Sequence, residues 1–228
     1  MKRCACLLLA ATCSLSAFAA ESQCFGTVNK GRIEGSVKLP PQGENFHAYS
    51  RLAATAGRTY VHSTVERLVV DSYRALASSR PGTVYVYGET GWANGGRFRP
   101  HRTHQNGLSI DFFVPVRDGA GRSVPLPTKL TERLGYDVEF DNRARSGEYT
   151  IDFEAMAEHL YALDTAAKAS GASLTLVIFD TQFLPRLFAT PRGDYLQRHL
   201  PFMKGKPWVR HDEHYHVDFD LPCKPDAP

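Results

Sequence analysis

The chain predicts an α+β domain: a central, mainly antiparallel sheet flanked by helices, with a polar cleft on the sheet. Two observations carry this. Segments with apolar residues at helical spacing are interspersed with a few short runs of β-branched and aromatic residues, the pattern of a layered α+β domain. The last such run, His214 to Asp220, sets His214, His216, Asp218 and Asp220 on one face and Tyr215, Val217 and Phe219 on the other. Its apolar face belongs in the core and its histidine face in the cleft. No internal repeat or low-complexity tract is visible.

Residues 1–19 have the pattern of an export signal and are set aside before the fold is read. Lys2 and Arg3 make a basic start, an apolar run opens at Leu7 and continues to Phe18, and Ala17-Phe18-Ala19 is a small-x-small cleavage pattern. The run is too short and too rich in Ser, Thr and Cys to span a bilayer, so no stable membrane insertion is expected after cleavage. Residues 20–228 suit a single domain with a sizeable core. Removing Lys2 and Arg3 from a formal charge of +3 leaves no broad basic field, which argues against a nucleic-acid partner. Cys4, Cys6 and Cys13 leave with the leader. Cys24 and Cys223 then remain, and in an oxidising compartment they are expected to form one disulfide.

From Gly31 to Gln42, Gly, Pro and polar residues separate short apolar pieces, which predicts irregular or edge-strand structure. Ser63-Thr64-Val65-Glu66 matches a capping box. Val65, Leu68, Val69, Tyr73 and Leu76 then carry a helix to about Ser79, ahead of Pro81-Gly82. Thr83 to Tyr87 is the first clear strand. A Gly-rich loop from Gly88 to Gly96 follows, and loops of this kind often carry function. Ser109 to Val114 predicts a second strand, stopped by Pro115. Asp152 to Ser170 predicts a helix with Phe153, Met156, His159, Leu160, Leu163 and Ala167 along one stripe and Gly171 beyond its end. Leu174 to Phe179 is apolar enough to predict a strand buried on both faces.

Two short clusters hold the chemistry. The first is His101-Arg102-Thr103-His104, with Asp111 seven residues on; the second is His211-Asp212-Glu213-His214-Tyr215-His216. Imidazole and carboxylate are costly to bury unless something binds them. A divalent metal does so, and neutral histidine nitrogen with aspartate oxygen is a common zinc ligand set. If the two cluster-bearing strands are neighbours, His104, Asp111 and one histidine of the last strand can converge. His47, His62, His159 and His199 have no partner pattern and read as structural or surface residues.

The pattern of His, six residues, Asp, then much later His-x-His resembles the lysostaphin-type, D-Ala-D-Ala peptidase and hedgehog superfamily of zinc proteins. Gly95-Gly96-Arg97, the run His101 to Asp111 and the run His211 to Val217 are similar to the penicillin-insensitive murein endopeptidases, most strongly over residues 83–116 and 205–220. The resemblance implies a single zinc peptidase domain over 20–228, with one zinc ion on His104, Asp111 and His216. It sets His214 beside a substrate carbonyl and gives His211 the proton-handling position. Glu213 stands where relatives in the superfamily carry a glutamate base, so both candidates are present; strand alternation would aim Glu213 away from His214 unless the strand begins only after it. His101 could support His104 or bind a second metal.

The function this implies is a periplasmic, zinc-dependent endopeptidase hydrolysing the D-alanyl amide cross-link between peptidoglycan stem peptides. The alternatives are a D,D-carboxypeptidase that trims a terminal D-Ala and a non-catalytic, zinc-bearing cell-wall binding module. Arg102 and Arg210 are the candidates for pairing with stem-peptide carboxylates, since guanidinium grips carboxylate in a fork.

Overall fold

The computed structural model describes residues 21–226, so the leader expected over 1–19, with Cys4, Cys6 and Cys13, lies outside the described residues. The fold is α+β. Its central sheet has five strands in the order Ser173–Ile178, His214–Asp220, Ser109–Phe113, Tyr85–Tyr87, Phe46–Ala48. Neighbours run antiparallel except Phe46–Ala48 with Tyr85–Tyr87, which are parallel. Two helices, Ser63–Ser79 and Phe153–Ala169, pack on each other and on the apolar face of the sheet. Tyr215, Val217 and Phe219 of the last strand enter this core beside Leu160, Leu163 and Phe112. The alternation read from the sequence thus sends the apolar side of this strand into the core and sets His214, His216 and Asp218 on the other.

Both long helices begin on a side-chain cap, though only one on the expected kind of residue. Asp152 accepts the Ala155 N–H at 3.0 Å, as an N-cap aspartate should. At the other helix the cap is His62, whose Nδ1 accepts the Thr64 N–H at 3.1 Å. Ser63 is diverted from the expected capping box because its Oγ accepts the Ser22 N–H at 3.0 Å while Ser22 Oγ accepts the Ser63 N–H at 2.9 Å. Gly171, just past the second helix, has φ +71°, a conformation glycine adopts without a Cβ penalty.

One expectation needs correction. Ser173–Ile178 is not buried on both faces throughout; it is the outer strand of the sheet, with Thr175 exposed and a register shift between Leu174 and Leu176. The segment from Gly31, expected to be irregular or edge-strand structure, opens in the second strand of an antiparallel hairpin, Gln23–Thr27 with Lys30–Glu34. Short strands of this kind carry too few apolar residues to declare themselves. The hairpin presents Cys24 to Cys223, and the two form the expected disulfide across 199 residues. Backbone bonds from Lys224 N to Cys24 O and from Gly26 N to Lys224 O, each 2.9 Å, fasten the chain just after the last strand. No helix among the described residues is long and apolar enough to cross a membrane.

His159 is structural, as its lack of a partner pattern predicts. It is fully buried between the helix and the sheet, stacked on Tyr73 with ring centroids 4.8 Å apart and hydrogen-bonded through Nδ1 to the Tyr215 hydroxyl. Burial pushes its imidazole down to about 3. Between about pH 3 and 6.5 the unfolded chain therefore takes up a proton that the folded chain does not, and stability falls as the pH falls. The native fold should lose about 2–3 kcal/mol between pH 7 and pH 4.5 from this residue. Urea unfolding at both pH values measures it: His159→Phe should shrink the difference, and an unchanged difference would contradict the assignment.

Candidate metal centre

Antiparallel pairing of Ser109–Phe113 with His214–Asp220 sets His216 directly opposite Asp111 and Asp218 opposite Ser109. His216 Nδ1 lies 2.9 Å from Asp111 Oδ1. His104, in the loop just ahead of the first of these strands, brings its Nε2 to 3.3 Å from the same oxygen. His104 and Asp111 are inaccessible to solvent and His216 nearly so. The backbone at His104 has φ +67°, a left-handed conformation that costs a non-glycine residue free energy. Its N–H donates to Ser109 Oγ at 3.2 Å, which helps hold the turn.

Each imidazole is oriented from behind. His104 Nδ1 donates to the Thr90 carbonyl at 3.0 Å, so Nε2 carries the lone pair. That Nε2 has no hydrogen-bond partner and faces a carboxylate oxygen. Two acceptors pointed at each other in a buried site repel unless a cation lies between them. His216 is backed by Asp218, whose Oδ1 is 2.8 Å from Nε2 and also accepts the Ser109 hydroxyl at 2.6 Å. Burial opposes charge on His216, but Asp218 and Asp111 outweigh it and lift the imidazole to about 10. Burial also opposes charge on Asp111, and His104, His101 and His214 together hold its carboxyl well below the usual range. Two imidazoles and a carboxylate are a donor set that suits a divalent ion, which would take the place of the proton that Asp218 and Asp111 hold on His216.

His101 is the third member of a compact group: one ligand atom each from His101, His104 and Asp111 lie within 4.8 Å of one another, close enough to share a metal ion. Its Nε2 is 2.6 Å from Glu89 Oε2, and its Nδ1 is 3.6 Å from Asp111 Oδ2. Glu89 in turn accepts both arms of Arg58 and the Tyr49 hydroxyl. Burial alone would raise the Glu89 carboxyl; His101 and Arg58 outweigh it and bring it to about 2. Glu89, Arg58 and Thr90 escape notice in the sequence. The Gly-rich loop flags the region of Glu89 and Thr90, but nothing in the spacing reveals which side chains turn inward.

The second cluster completes the wall of a cavity of about 720 Å³ lined by His101, Asp111, His211, Glu213, His214 and His216. Glu213 does not point away from His214. The last strand begins only at His214, and Glu213 Oε1 lies 2.7 Å from His214 Nδ1. Burial opposes charge on His214, yet Glu213 and Asp111 outweigh it and hold the imidazole above its ordinary value. His211 sits 4.6 Å from His214, ring to ring, with its Nδ1 donating to the Val209 carbonyl at 3.0 Å. Burial and the neighbouring His214 push His211 down to about 3.

The two candidate arginines part company. Arg210 is committed: Nε bonds Asp212 at 3.0 Å, Nη1 bonds Glu139 at 3.0 Å, and Nη2 bonds the Phe140 carbonyl at 2.9 Å. Those partners hold it in the cavity wall, which its half-exposed side chain lines. Arg102 has no acidic partner among the described residues and lies over the Trp208 ring, 5.0 Å from its centroid, at the exposed rim.

Known proteins match this chain over nearly its whole length. A family profile described as penicillin-insensitive murein endopeptidase covers residues 24–228. The penicillin-insensitive murein endopeptidase of Escherichia coli O1:K1 / APEC is 25% identical over 203 residues, which is 89% of this chain and 68% of that protein. Those of strain SMS-3-5 / SECEC and of O157:H7 strain EC4115 / EHEC are 25% and 24% identical with the same coverage.

Asp218 turns His216 toward the centre, and loss of such a backing carboxylate typically weakens metal affinity about 10–100-fold. Asp218→Asn should therefore bind a divalent metal more weakly in chelator competition while keeping the wild-type circular dichroism spectrum. Wild-type affinity in that variant would remove Asp218 from the site.

Proposed function

The chain belongs to the penicillin-insensitive murein endopeptidase family, and on that premise we propose a zinc-dependent endopeptidase that hydrolyses the D-alanyl amide cross-link between peptidoglycan stem peptides. The observation that carries the reading is the partnerless Nε2 of His104, fixed as a lone pair and aimed at Asp111 across 3.3 Å. With His216 Nδ1 on the same oxygen, the spacings approach the roughly 3.3 Å expected between adjacent ligands of a tetrahedral zinc. His104, Asp111 and His216 are the proposed ligands. His101 is the proposed supporting residue, because Glu89 engages its Nε2. The disulfide fits an oxidising compartment and supports export to the periplasm.

A zinc ion held there would supply Lewis acidity and lower the pKa of a bound water toward neutrality. The remaining work belongs to the second cluster. His211, its Nδ1–H tied to Val209, keeps an Nε2 lone pair, while burial lowers its basicity and raises the carboxyl of Glu213, the other base candidate. His211 takes the proton from the attacking water and passes it to the departing amine. His214 carries its proton against Glu213 and offers its other N–H to the oxygen that gains negative charge. Glu213 is then the group that charges and orients His214, while His211 is the base.

The arginines favour a chain passing along the cavity over a terminal carboxylate held at a closed end. Arg58 and Arg210 are neutralised by Glu89 and by Asp212 with Glu139. The arginine left to meet a substrate carboxylate, Arg102, stands at the rim. A binding module would have no need of a buried imidazole kept free to take a proton beside a second, charged one.

Digestion of purified cross-linked muropeptide dimers, with products identified by mass, tests the reading. Wild-type protein should yield the two monomers. Release of D-Ala alone would mean a carboxypeptidase, and no product with full zinc content would favour the binding module. Among zinc-replete variants, His211→Ala should lose roughly 10²–10⁴-fold in turnover, the usual cost of one proton-transfer role. Collapse of Glu213→Gln with near-normal His211→Ala would move the base to Glu213.

A further inference from the structure

Tyr136 lies outside both histidine clusters, on a loop about 25 residues beyond Asp111, yet its hydroxyl sits against the carboxylate at the centre of the site. The Glu89 N–H donates to Tyr136 Oη at 2.9 Å, so the hydroxyl hydrogen is directed elsewhere, and Asp111 Oδ2 lies 3.0 Å away to accept it. Asp111 Oδ1 is the oxygen that faces His104 and His216. Oδ1 thus meets the pair of imidazoles, while Oδ2 takes the phenol as its hydrogen-bond partner, with His101 Nδ1 farther off at 3.6 Å.

The surroundings hold this arrangement in place. Glycine at position 88 makes it sterically feasible, since a Cβ there would stand 2.6 Å from the Tyr136 hydroxyl and 3.1 Å from Asp111 Cβ. The tyrosine ring is wedged against Phe113 and His214, with centroids 5.1 and 5.0 Å away. Its loop is tied at both ends. Thr128 Oγ1 donates to the Tyr49 carbonyl at 2.7 Å, and the Phe140 N–H donates to Asp212 Oδ2 at 2.7 Å. Arg210 closes the second tie by bonding both Asp212 and the Phe140 carbonyl. Asp212 is fully buried and spent on this tie, which explains an acid in the second histidine cluster that the proposed chemistry does not use.

We propose that Tyr136 is a positioning residue for the metal centre: its hydroxyl occupies Oδ2 of Asp111, so that the carboxylate presents Oδ1 alone, and the loop braced by Arg210 and Asp212 delivers it. The inference rests on the zinc reading above. Hydrogen bonds to a ligating carboxylate fix its orientation, and their loss typically costs about 10–100-fold in metal affinity or activity.

The test is zinc affinity by chelator competition on the purified full chain, paired with the visible spectrum of the cobalt-loaded protein and thermal unfolding of the metal-free protein. Tyr136→Phe should bind zinc about 10–100-fold more weakly. Its cobalt absorption should weaken as the carboxylate becomes free to bind through both oxygens, and metal-free unfolding should stay close to wild type. Gly88→Ala, which displaces the hydroxyl without removing it, should shift affinity and spectrum the same way. Wild-type affinity and spectrum in Tyr136→Phe would overturn the inference alone, as would a loss matched by an equal loss of metal-free stability. Wild-type protein that binds no zinc would overturn the metal reading and this inference with it.

Discussion

The site depends on one strand register. His216 meets Asp111 because the two central strands pair antiparallel with those residues opposite each other. Side chains alternate across a strand, so a slip of one residue would bring Tyr215 or Val217 to Asp111 and send every histidine of the last strand into the core. Several features make that slip costly. Tyr215, Val217 and Phe219 are wholly or almost wholly buried among the helices. On the polar face, Ser109 bonds Asp218 across the strands at 2.6 Å. The disulfide and the backbone bonds around Lys224 then anchor the chain where it leaves the strand.

Around that register the protein builds a polar layer in which most buried groups have a named partner. Thr90 holds His104, Asp218 holds His216, Glu89 holds His101, and Glu213 holds His214. Buried charge is tolerated when it is paired and hydrogen-bonded, and is costly otherwise. The orphan in the layer is His104 Nε2, at its centre. A framework this fully satisfied, arranged around one unsatisfied lone pair on a strained residue, is what a preorganised metal site requires.

Much of this was legible in the sequence, for identifiable reasons. The last strand announced itself because its two faces differ so sharply in polarity, and the long helices because their stripes are long. The disulfide followed from the two cysteines that remain once residues 1–19 are read as an export signal. The convergence of His104 and Asp111 with one histidine of the last strand was an inference from alternation, conditional on the strands being neighbours. What escaped was whatever depends on tertiary approach. Glu89, Arg58 and Tyr136 reach the site from loops whose path no local periodicity encodes. The direction of Glu213 turned on where the strand starts, and the strand begins one residue after it. Arg210 is picked out in the sequence by proximity, while its bonds to Asp212, Glu139 and the Phe140 carbonyl arise from tertiary approach. His62 took the helix cap because a distant serine, Ser22, had already claimed Ser63.

The central claim is that one cation is bound by His104 Nε2, Asp111 Oδ1 and His216 Nδ1. Crystals of the purified protein, measured on both sides of the zinc absorption edge, test it most directly. The account predicts a single anomalous peak of zinc within bonding distance, about 2.0–2.2 Å, of those three atoms. A peak bonded instead to His101, or its absence from protein shown by elemental analysis to contain zinc, would contradict it.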